Sequence, residues 1–307
     1  MFEIGYNIAD DLPEEFSAYE KEVKQLTVGN TGKTGSLVIV LERDTQTDKT
    51  VASDLFSTIP LLVQRTLYIE ESFPEMAYVY IMSPSGGILQ GDRLKIDIKL
   101  KNNAQAHITT QAANKIYSMN ANYATQIIDL SVDDNCYVEF IPDALIPYRS
   151  SRFYQRVNIR LHENATVVCS EIITPGRVAS GECFAYDICC LKTVGTDQRG
   201  KVRFVDAMLL QPKKQNMLDI FMNSQRVFAN MYLLTNRIDA SILSDSIHTI
   251  LDENSVDGSA SVLPKHDGVI ARIVANTSEE IKDVVNIILS RMRKDILGKQ
   301  FTGLRKY

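Results

Sequence analysis

The sequence predicts a mainly β protein, with a layered body of antiparallel or mixed β-sheet and a small α+β portion at the C-terminus. The first observation is the alternation of apolar and polar residues in segments such as 94–100 and 155–161. Such alternation indicates strands with one buried and one wet face, which are typical of antiparallel sheet. The second is that turn residues, as at 101–103 and 133–135, separate these segments at short intervals. The third is a helical apolar period near the C-terminus.

The predicted elements follow in order along the chain. Residues 1–34 form a polar, acidic lead-in, within which residues 11–24 predict one short helix. A β body is predicted over residues 35–212, because many short strands at near-regular spacing favour a layered all-β architecture. Its predicted strands are 36–41, 78–82, 94–100, 106–112, 125–132, 136–141, 155–161, 166–173, 184–191 and 201–210.

The pattern changes after Pro212, and residues 213–307 are predicted to form a small α+β cap packed on the β body. The predicted elements of this cap are a strand at 227–235, a helix at 238–253, a strand pair at 259–263 and 268–275, and a final helix. The final helix has apolar residues at helical spacing, namely Ile281, Val284, Val285, Ile288 and Met292. Thr277 and Glu280 have the spacing of a capping box, and Gly298 can end the helix.

Composition limits the class of protein. The chain has 307 residues, of which 45% are hydrophobic, so a sizeable core can form in about two domains or one large β domain. A net charge of −5 argues against nucleic acid as the main partner. No apolar run approaches the ~18 residues of a membrane span, and no secretory signal is visible. The five cysteines have no disulfide-framework spacing, which predicts reduced thiols in a cytoplasmic protein.

Common nucleotide and metal motifs are not complete in this chain. Residues 29–34 resemble part of a phosphate-binding loop, but position 27 is threonine instead of glycine, and a strand is predicted to follow; a glycine turn is therefore expected. The histidines are scattered, so no zinc site with about four converging ligands is predicted. They are His107, His162, His248 and His266. Cys189 and Cys190 are expected on opposite faces of a strand, and each cysteine is expected to be a small core residue.

Two carboxylates stand out because each shares a strand face with apolar residues. Glu139 lies in phase with Tyr137 and Ile141, and Glu171 lies in phase with Val167 and Cys169. A carboxylate on an apolar face must be paired, protonated or solvated by internal water. Two interpretations stay open. Each can form a buried ion pair with an arginine such as Arg149, Arg152 or Arg177, or each can line a polar internal path where oxygen ligands hold a divalent cation transiently.

Two glycine-containing segments predict tight turns. The glycine pair at 86–87 is expected to allow positive φ or a close backbone approach, with Asp92 bracing the turn through backbone N–H groups. Residues 176–182 are expected to form a tight loop between two strands, closed by an Arg177–Glu182 pair.

Four separated blocks, at 83–92, 109–117, 141–148 and 176–182, resemble in the same order those of the urease accessory protein family UreD, also called UreH. The residues that carry the resemblance are Gly86, Gly87, Gly91, Asp92, Thr109, Thr110, Gln111, Lys115, Tyr117, Pro142, Pro147, Gly176, Arg177, Gly181 and Glu182. The resemblance is dense from about residue 64 to 212 and weaker towards the C-terminus.

The resemblance implies a non-enzymatic assembly factor of largely β structure. Proteins of this family bind apo-urease and recruit the helical partner UreF and the GTPase UreG, so that nickel reaches the urease active site. It therefore implies no tightly bound cofactor, but transient nickel, for which an internal passage has been proposed, with Glu139 and Glu171 as its candidate ligands here. The incomplete phosphate loop fits this division of labour, because the GTPase is a separate chain.

Two other functions remain open at this stage. One is a purely structural scaffold that binds the same partners without carrying nickel. The other is a hydrolase or transferase on a β scaffold, with Glu139, Asp143 or Glu171 as general acid and base, which requires that their pKa values be split. A continuous polar tunnel past Glu139 and Glu171 would separate the conduit from the scaffold.

Overall fold

The computed structural model describes residues 11–20, 32–215 and 227–304, in which the strands form a seven-stranded and a nine-stranded sheet. The strands are β1 (Thr34–Arg43), β2 (Thr50–Ser57), β3 (Ala77–Ile81), β4 (Arg93–Lys101), β5 (Gln105–Thr110), β6 (Asn114–Ile116), β7 (Ala124–Val132), β8 (Tyr137–Phe140), β9 (Leu145–Pro147), β10 (Arg152–Leu161), β11 (Thr166–Ile173), β12 (Ile188–Asp197), β13 (Val202–Leu210), β14 (Val227–Leu234), β15 (Asp257–Val262) and β16 (Val269–Ala275). The α-helices are α1 (Ala240–Glu253) and α2 (Ser278–Leu297), and short 3₁₀ helices lie at Glu14–Tyr19, Val178–Ser180 and Pro264–His266.

The chain passes back and forth between the two sheets, as in a flattened β-solenoid. Strands β1, β4, β7, β10 and β12 lie side by side and parallel in the seven-stranded sheet. Strands β3, β5, β8 and β11 do the same in the nine-stranded sheet. Each coil therefore contributes a strand to each sheet, and the short strands β6 and β9 add a second strand of their coils to the nine-stranded sheet. Antiparallel pairs complete the sheets, with β2 and β13 at the edges of one sheet and β14, β16 and β15 extending the other.

The predicted mainly β, layered architecture is confirmed, but the alternating segments do not mark antiparallel pairing. In β4, buried and partly exposed residues alternate along the whole strand, although its neighbours on both sides are parallel. The alternation reports only that one face of the seven-stranded sheet covers the core while the other face meets water. Solenoid coils produce this pattern with parallel strands because, within the described residues, only the short 3₁₀ helix Glu14–Tyr19 packs on part of the outer face.

The main core lies between the two sheets. Ile96 and Ile98 of β4 belong to one buried cluster with Ile108 and Val138 of the nine-stranded sheet. A second cluster lies on the other face of the nine-stranded sheet, beneath α1 and α2. The nine-stranded sheet is therefore covered on both faces. Its polar side chains must find partners inside the protein on either side.

The predicted C-terminal elements are confirmed, as are the cap at Thr277 and the helix end at Gly298, and the structure adds an unpredicted cap at Asp239. The Asp239 side chain accepts from the backbone N–H groups of Ser241 and Ile242, Thr277 Oγ1 accepts from Glu280 N, and Gly298 ends α2 in a left-handed conformation. Strand β14, which follows Pro212, pairs with β11, so the nine-stranded sheet continues into this part of the chain. The division into residues 1–34, 35–212 and 213–307 stays a prediction.

Several local predictions were wrong. The helix predicted at 11–24 is a 3₁₀ turn at Glu14–Tyr19, with residues 21–24 outside the described part. Strands β2, β6 and β9 were not predicted. Strand β12 begins at Ile188 and runs through Gly195 to Asp197, beyond the strand predicted at 184–191. A Cβ at Gly195 would lie 2.1 Å from the Phe204 ring, so this glycine allows a close approach at an irregular strand pair.

Candidate functional site

The four sequence blocks meet at one corner of the solenoid. Ile88 of the first block bridges to Ile116 of the second, and Ile116 pairs with Pro147 of the third. The third and fourth blocks are also in close contact, because a Cβ on Gly176 would lie only 3.3 Å from the carbonyl oxygen of Pro147. Segments separated by many residues in sequence are therefore neighbours at this corner.

The glycine pair of the first block makes a close backbone approach, as predicted. Gly86 and Gly87 have φ values of 79° and 159°. A Cβ on Gly87 would lie 2.5 Å from the carbonyl oxygen of Lys115 and 2.6 Å from the Tyr117 ring. The buried Asp92 carboxylate braces the turn by accepting from Lys33 N at 2.9 Å and Leu89 N at 2.8 Å.

Among the described residues of the phosphate-loop-like segment, Lys33 makes this contact. Of the glycine turn expected in this segment, residues 29–31 lie outside the described residues, and Gly32 has a φ of 76°. Strand β1 begins at Thr34, directly after Lys33, which agrees with the strand predicted to follow the segment.

The fourth block closes through the predicted ion pair. Arg177 donates to both carboxylate oxygens of Glu182, at 2.9 and 2.5 Å, and Glu182 also accepts from Arg149 N at 3.1 Å. The Arg177 hydrogen bond is the main reason that the pKa of Glu182 falls to about 2. Gly181 has a φ of 74°, and a Cβ on Gly176 would lie 2.8 Å from the Glu182 carbonyl oxygen.

Glu139 forms a buried ion pair with Arg293 of α2. Arg293 Nε lies 2.6 Å from Glu139 Oε1 and Nη2 lies 2.7 Å from Oε2. His107 Nδ1 lies 2.6 Å from Oε2, and the Tyr137 hydroxyl donates to Oε1 at 2.8 Å. Burial alone would raise the pKa of Glu139, but the charge and hydrogen bonds of Arg293, aided by His107, lower it to about 2. Arg293 also binds Glu70 Oε2 at 2.8 Å.

The arginines expected to pair with the two carboxylates were the wrong ones. Arg149 and Arg177 lie at Glu182, and Arg152 donates to Asp187 at 2.8 Å. The partner of Glu139, Arg293, is 154 positions away in sequence. Neither Arg293 nor Glu70 was predicted to belong to this site, because both are far from β8 in sequence.

Glu171 lies on the opposite face of the nine-stranded sheet from Glu139. Val168 pairs with Glu139 and therefore shares its face, whereas Glu171 is out of phase with Val168 along β11 and points between the sheets. Glu171 Oε1 accepts from Gln155 Nε2 at 3.0 Å, and Oε2 accepts from Thr193 Oγ1 at 3.0 Å. These two donors are neutral, and burial raises the pKa of Glu171.

The hydroxyl of Tyr232, beside Glu171, cannot fully satisfy the hydrogen-bonding capacity of the Glu171 carboxylate. The Tyr232 hydroxyl lies 3.2 Å from Glu171 Oε2 and 2.8 Å from Asp206 Oδ2, and it has one proton for both carboxylates. Glu171 is therefore a buried carboxylate whose described hydrogen-bond donors are all uncharged. Such a group favours either a proton or a cation.

Two cavities flank the end of β8. One, of about 40 Å³, lies between the sheets and is lined by Glu171, Gln126 and Gln155, among others. The other, of about 360 Å³, lies under α2. The two share the lining residues Pro142, Asp143 and Ile172. Asp143 also contacts helix α2, because Lys282 Nζ of that helix lies 3.1 Å from Asp143 Oδ1.

The second block contributes to these cavities as well as to the corner. Thr109 lines the cavity under α2, and Thr110 lines the cavity between the sheets and accepts from Asp143 N at 2.9 Å. Gln111 lines a third cavity of about 830 Å³ beside Glu70 and Thr302. Lys115 and Tyr117 belong to the corner.

Cysteine and histidine side chains do not gather around a metal site within the described residues. No group of three or more potential His, Cys, Asp or Glu ligands is present there. Cys189 belongs to the core between the sheets and Cys190 to a cluster on the outer face, which confirms their predicted opposite orientation. The side chain of His266 lies outside the description. No helix in the described ranges is long and apolar enough to cross a membrane.

Comparison with known proteins gives matches over nearly the whole chain. The model of the family described as "UreD urease accessory protein" matches residues 33–306. The Urease accessory protein UreD of Cenarchaeum symbiosum is 39% identical over 92% of this chain and 99% of its own length. Urease accessory protein UreD 2 of Brucella ovis is 34% identical, covering 92% and 95%. UreD of Photorhabdus laumondii is 34% identical, covering 95% and 91%.

Proposed function

The chain belongs to the UreD family of urease accessory proteins, and from this premise we propose how it acts in urease maturation. It binds apo-urease and recruits a UreF-like helical protein and a UreG-like GTPase, so that nickel enters the urease active site. The proposal is supported by relatives named urease accessory proteins that are covered almost from end to end.

The observation that carries the nickel part of the proposal is the buried carboxylate of Glu171. It lines an internal cavity, and the described donors to its oxygens carry no positive charge. The cavity of about 40 Å³ exceeds the ~10–15 Å³ that a single ordered water needs. Nickel passing here would meet carboxylate and amide oxygens, which bind a divalent cation less tightly than thiolate or imidazole and suit transfer better than storage.

A route for the ion is favoured by the arrangement of the two cavities. Both are lined by Asp143, so a second carboxylate stands where the inner cavity ends and the cavity under α2 begins. We propose that nickel passes from Glu171 to Asp143, whose ion-pair partner Lys282 is 38% exposed and can turn towards solvent. Nickel is cargo in this scheme, and the protein needs no tightly bound cofactor.

Glu139 fits a structural role better than a place on that route. Its oxygens accept from Arg293, His107 and Tyr137, so its charge is already balanced. We propose that it anchors α2 on the nine-stranded sheet. One acid–base pair of the hydrolase alternative, Glu139 with Glu171, loses support because these two residues lie on opposite faces of one sheet and cannot flank one substrate.

The proposed function is tested in cells that produce the urease subunits and the other accessory proteins but lack this chain. Restoring the chain is expected to restore urease activity, and a tagged copy is expected to co-purify apo-urease and the UreF-like protein. A wild-type chain that restores no activity and retains neither protein would refute the proposal. Wild-type activation at limiting nickel by Glu171→Gln would favour the scaffold without nickel transfer.

A further inference from the structure

The corner where the four blocks meet carries a row of aromatic and cationic side chains in contact. Because Ile116 pairs with Pro147, the residues that follow them, Tyr117 and Tyr148, occupy equivalent positions in successive coils. Their ring centroids are 5.0 Å apart, and the Arg177 guanidinium lies 4.1 Å from the Tyr148 ring centroid. These distances are close to the ~4.8 Å spacing of neighbouring strands.

This row and the charged groups beside it form a surface that we call the ladder face. The ladder face consists of Lys115, Tyr117, Tyr148, Arg149, Arg177 and Glu182. A Cβ on Gly87 would meet both the Lys115 Cβ, at 3.1 Å, and the Tyr117 ring, so these two residues project on the same side.

The ladder face is rigid. Gly87 lets the first block lie against the second with no space for a side chain between them, and Gly176 does the same between the third and fourth. The two hydrogen bonds from Arg177 to Glu182 fix the last loop. A surface that is ordered before binding loses little conformational entropy when a partner docks.

The ladder face is also cationic, although the whole chain has a net charge of −5. Three of its six residues are basic and one is acidic. The acidic one, Glu182, is buried with a 9% exposed side chain and is bound by Arg177. The Arg149 side chain is 66% exposed, Lys115 is exposed, and the neighbouring Val178 is 43% exposed. Two cations therefore face solvent beside an edge-to-face tyrosine pair.

We infer that the ladder face is a docking surface for an acidic segment of a protein partner. The inference rests on the proposed function, in which the chain acts by assembling with other proteins. Tyrosine and arginine are the side chains enriched at the energetic centres of protein interfaces, and complementary charge speeds and orients docking. Nucleic acid also stacks on tyrosine, but the acidic chain as a whole opposes a phosphate backbone.

The test uses charge reversal at the two exposed cations. The full chain carrying Lys115→Glu and Arg149→Glu is co-expressed with the urease subunits and the UreF-like protein, and the retained partners are measured. The matched control is Lys99→Glu with Arg160→Glu, which makes the same charge change on the outer face of the seven-stranded sheet. Thermal melting of each variant, compared with wild type, checks that both remain folded.

The ladder-face variant is expected to retain about tenfold less of one partner, because like charges placed against each other oppose docking. The control is expected to retain wild-type amounts, and added salt is expected to weaken the wild-type complex more than the ladder-face variant's. Wild-type retention by the ladder-face variant, an equal loss in the control, or release of the wild-type partner by nuclease would each overturn the inference.

Failure of this inference is distinguishable from failure of the proposed function. If the wild-type chain neither retains partners nor activates urease, the proposed function is wrong. If the wild-type chain does both and the ladder-face variant does both equally well, only the docking surface is wrong.

Discussion

Arg293 of the last helix donates two hydrogen bonds, of 2.6 and 2.7 Å, to Glu139 of β8, and both side chains are fully buried. The two residues are 154 positions apart, so this pair ties the C-terminal helix to the middle of the solenoid. Glu70 binds the same guanidinium, and its other oxygen accepts from Thr302. The network therefore also holds the segment that follows α2.

Replacing Arg293 with methionine is expected to destabilise the protein by about 3–5 kcal/mol, because it leaves the buried Glu139 carboxylate without its main counter-charge. The measurement is the free energy of unfolding in urea. Arg291→Met is the matched control on the same helix. It removes an exposed i,i+4 pair with Asp295, worth about 0.3–0.5 kcal/mol. Equal losses in the two variants would show that the buried pair has no special weight.

The pH dependence of stability is expected to reflect the same pair. The pKa of Glu139 is lowered from 4.5 to about 2 in the folded protein. A lowered pKa adds stability that is fully present above pH 4.5 and is lost as the pH falls towards about 2. Glu139→Gln should remove this contribution, so its deficit relative to wild type should shrink across that window. A constant deficit in urea unfolding at every pH would contradict the assignment.

Gly87→Ala is expected to cost more stability than a glycine substitution in open space. Gly200 has a φ of 80° and no neighbour within 4 Å of a Cβ, so Gly200→Ala reports only the backbone penalty of about 1–2 kcal/mol. Gly87→Ala also places a methyl group against Lys115 and Tyr117, and overpacking adds about 1–3 kcal/mol. Urea unfolding of both variants measures the difference. Equal costs would mean that the loop moves freely away from Tyr117.

Local pattern was enough to predict most strands and both α-helices. Helical periodicity and the Thr277 cap depend on residues that are close in sequence, and those predictions are confirmed. Parallel pairing was not predictable from the same pattern, because alternation reports which face is wet and not the direction of the adjacent strand. Strands β6 and β9 are three residues each, too short for periodicity to reveal.

The site was predictable in part. The parity of Glu139 and Glu171 on their strands indicated burial, and both are buried. Alternation along one strand shows which of its residues share a face, but it does not relate that face to a face of another strand. It therefore did not reveal that the two carboxylates point in opposite directions. The Arg177–Glu182 pair was predictable because its members are five positions apart, whereas the Glu139–Arg293 pair depends on the tertiary fold.

The role of Glu171 is tested by removing its charge while keeping its shape. Burial raises the pKa of Glu171 above its ordinary value of 4.5. A carboxyl group whose pKa is raised by folding stabilises the folded protein below pH 4.5, and this stability is lost as the pH rises through the folded value. At neutral pH the carboxylate therefore weakens the fold, and Glu171→Gln is expected to be as stable as wild type or more stable. Glu139→Gln, the matched control, is expected to be less stable.

Glu171→Gln is also expected to bind apo-urease and the UreF-like protein normally, yet to activate urease poorly when nickel is limiting, because the amide attracts the cation less. Excess nickel should recover part of the activity by mass action. The measurement is urease activity against nickel concentration, with complex formation followed in parallel, for Glu171→Gln, Glu139→Gln and the double variant. Wild-type activation at limiting nickel by Glu171→Gln would rule out its role in transfer. Loss of the complex itself would instead make Glu171 a structural residue, since a group that only passes an ion onward should not be needed for the partners to assemble.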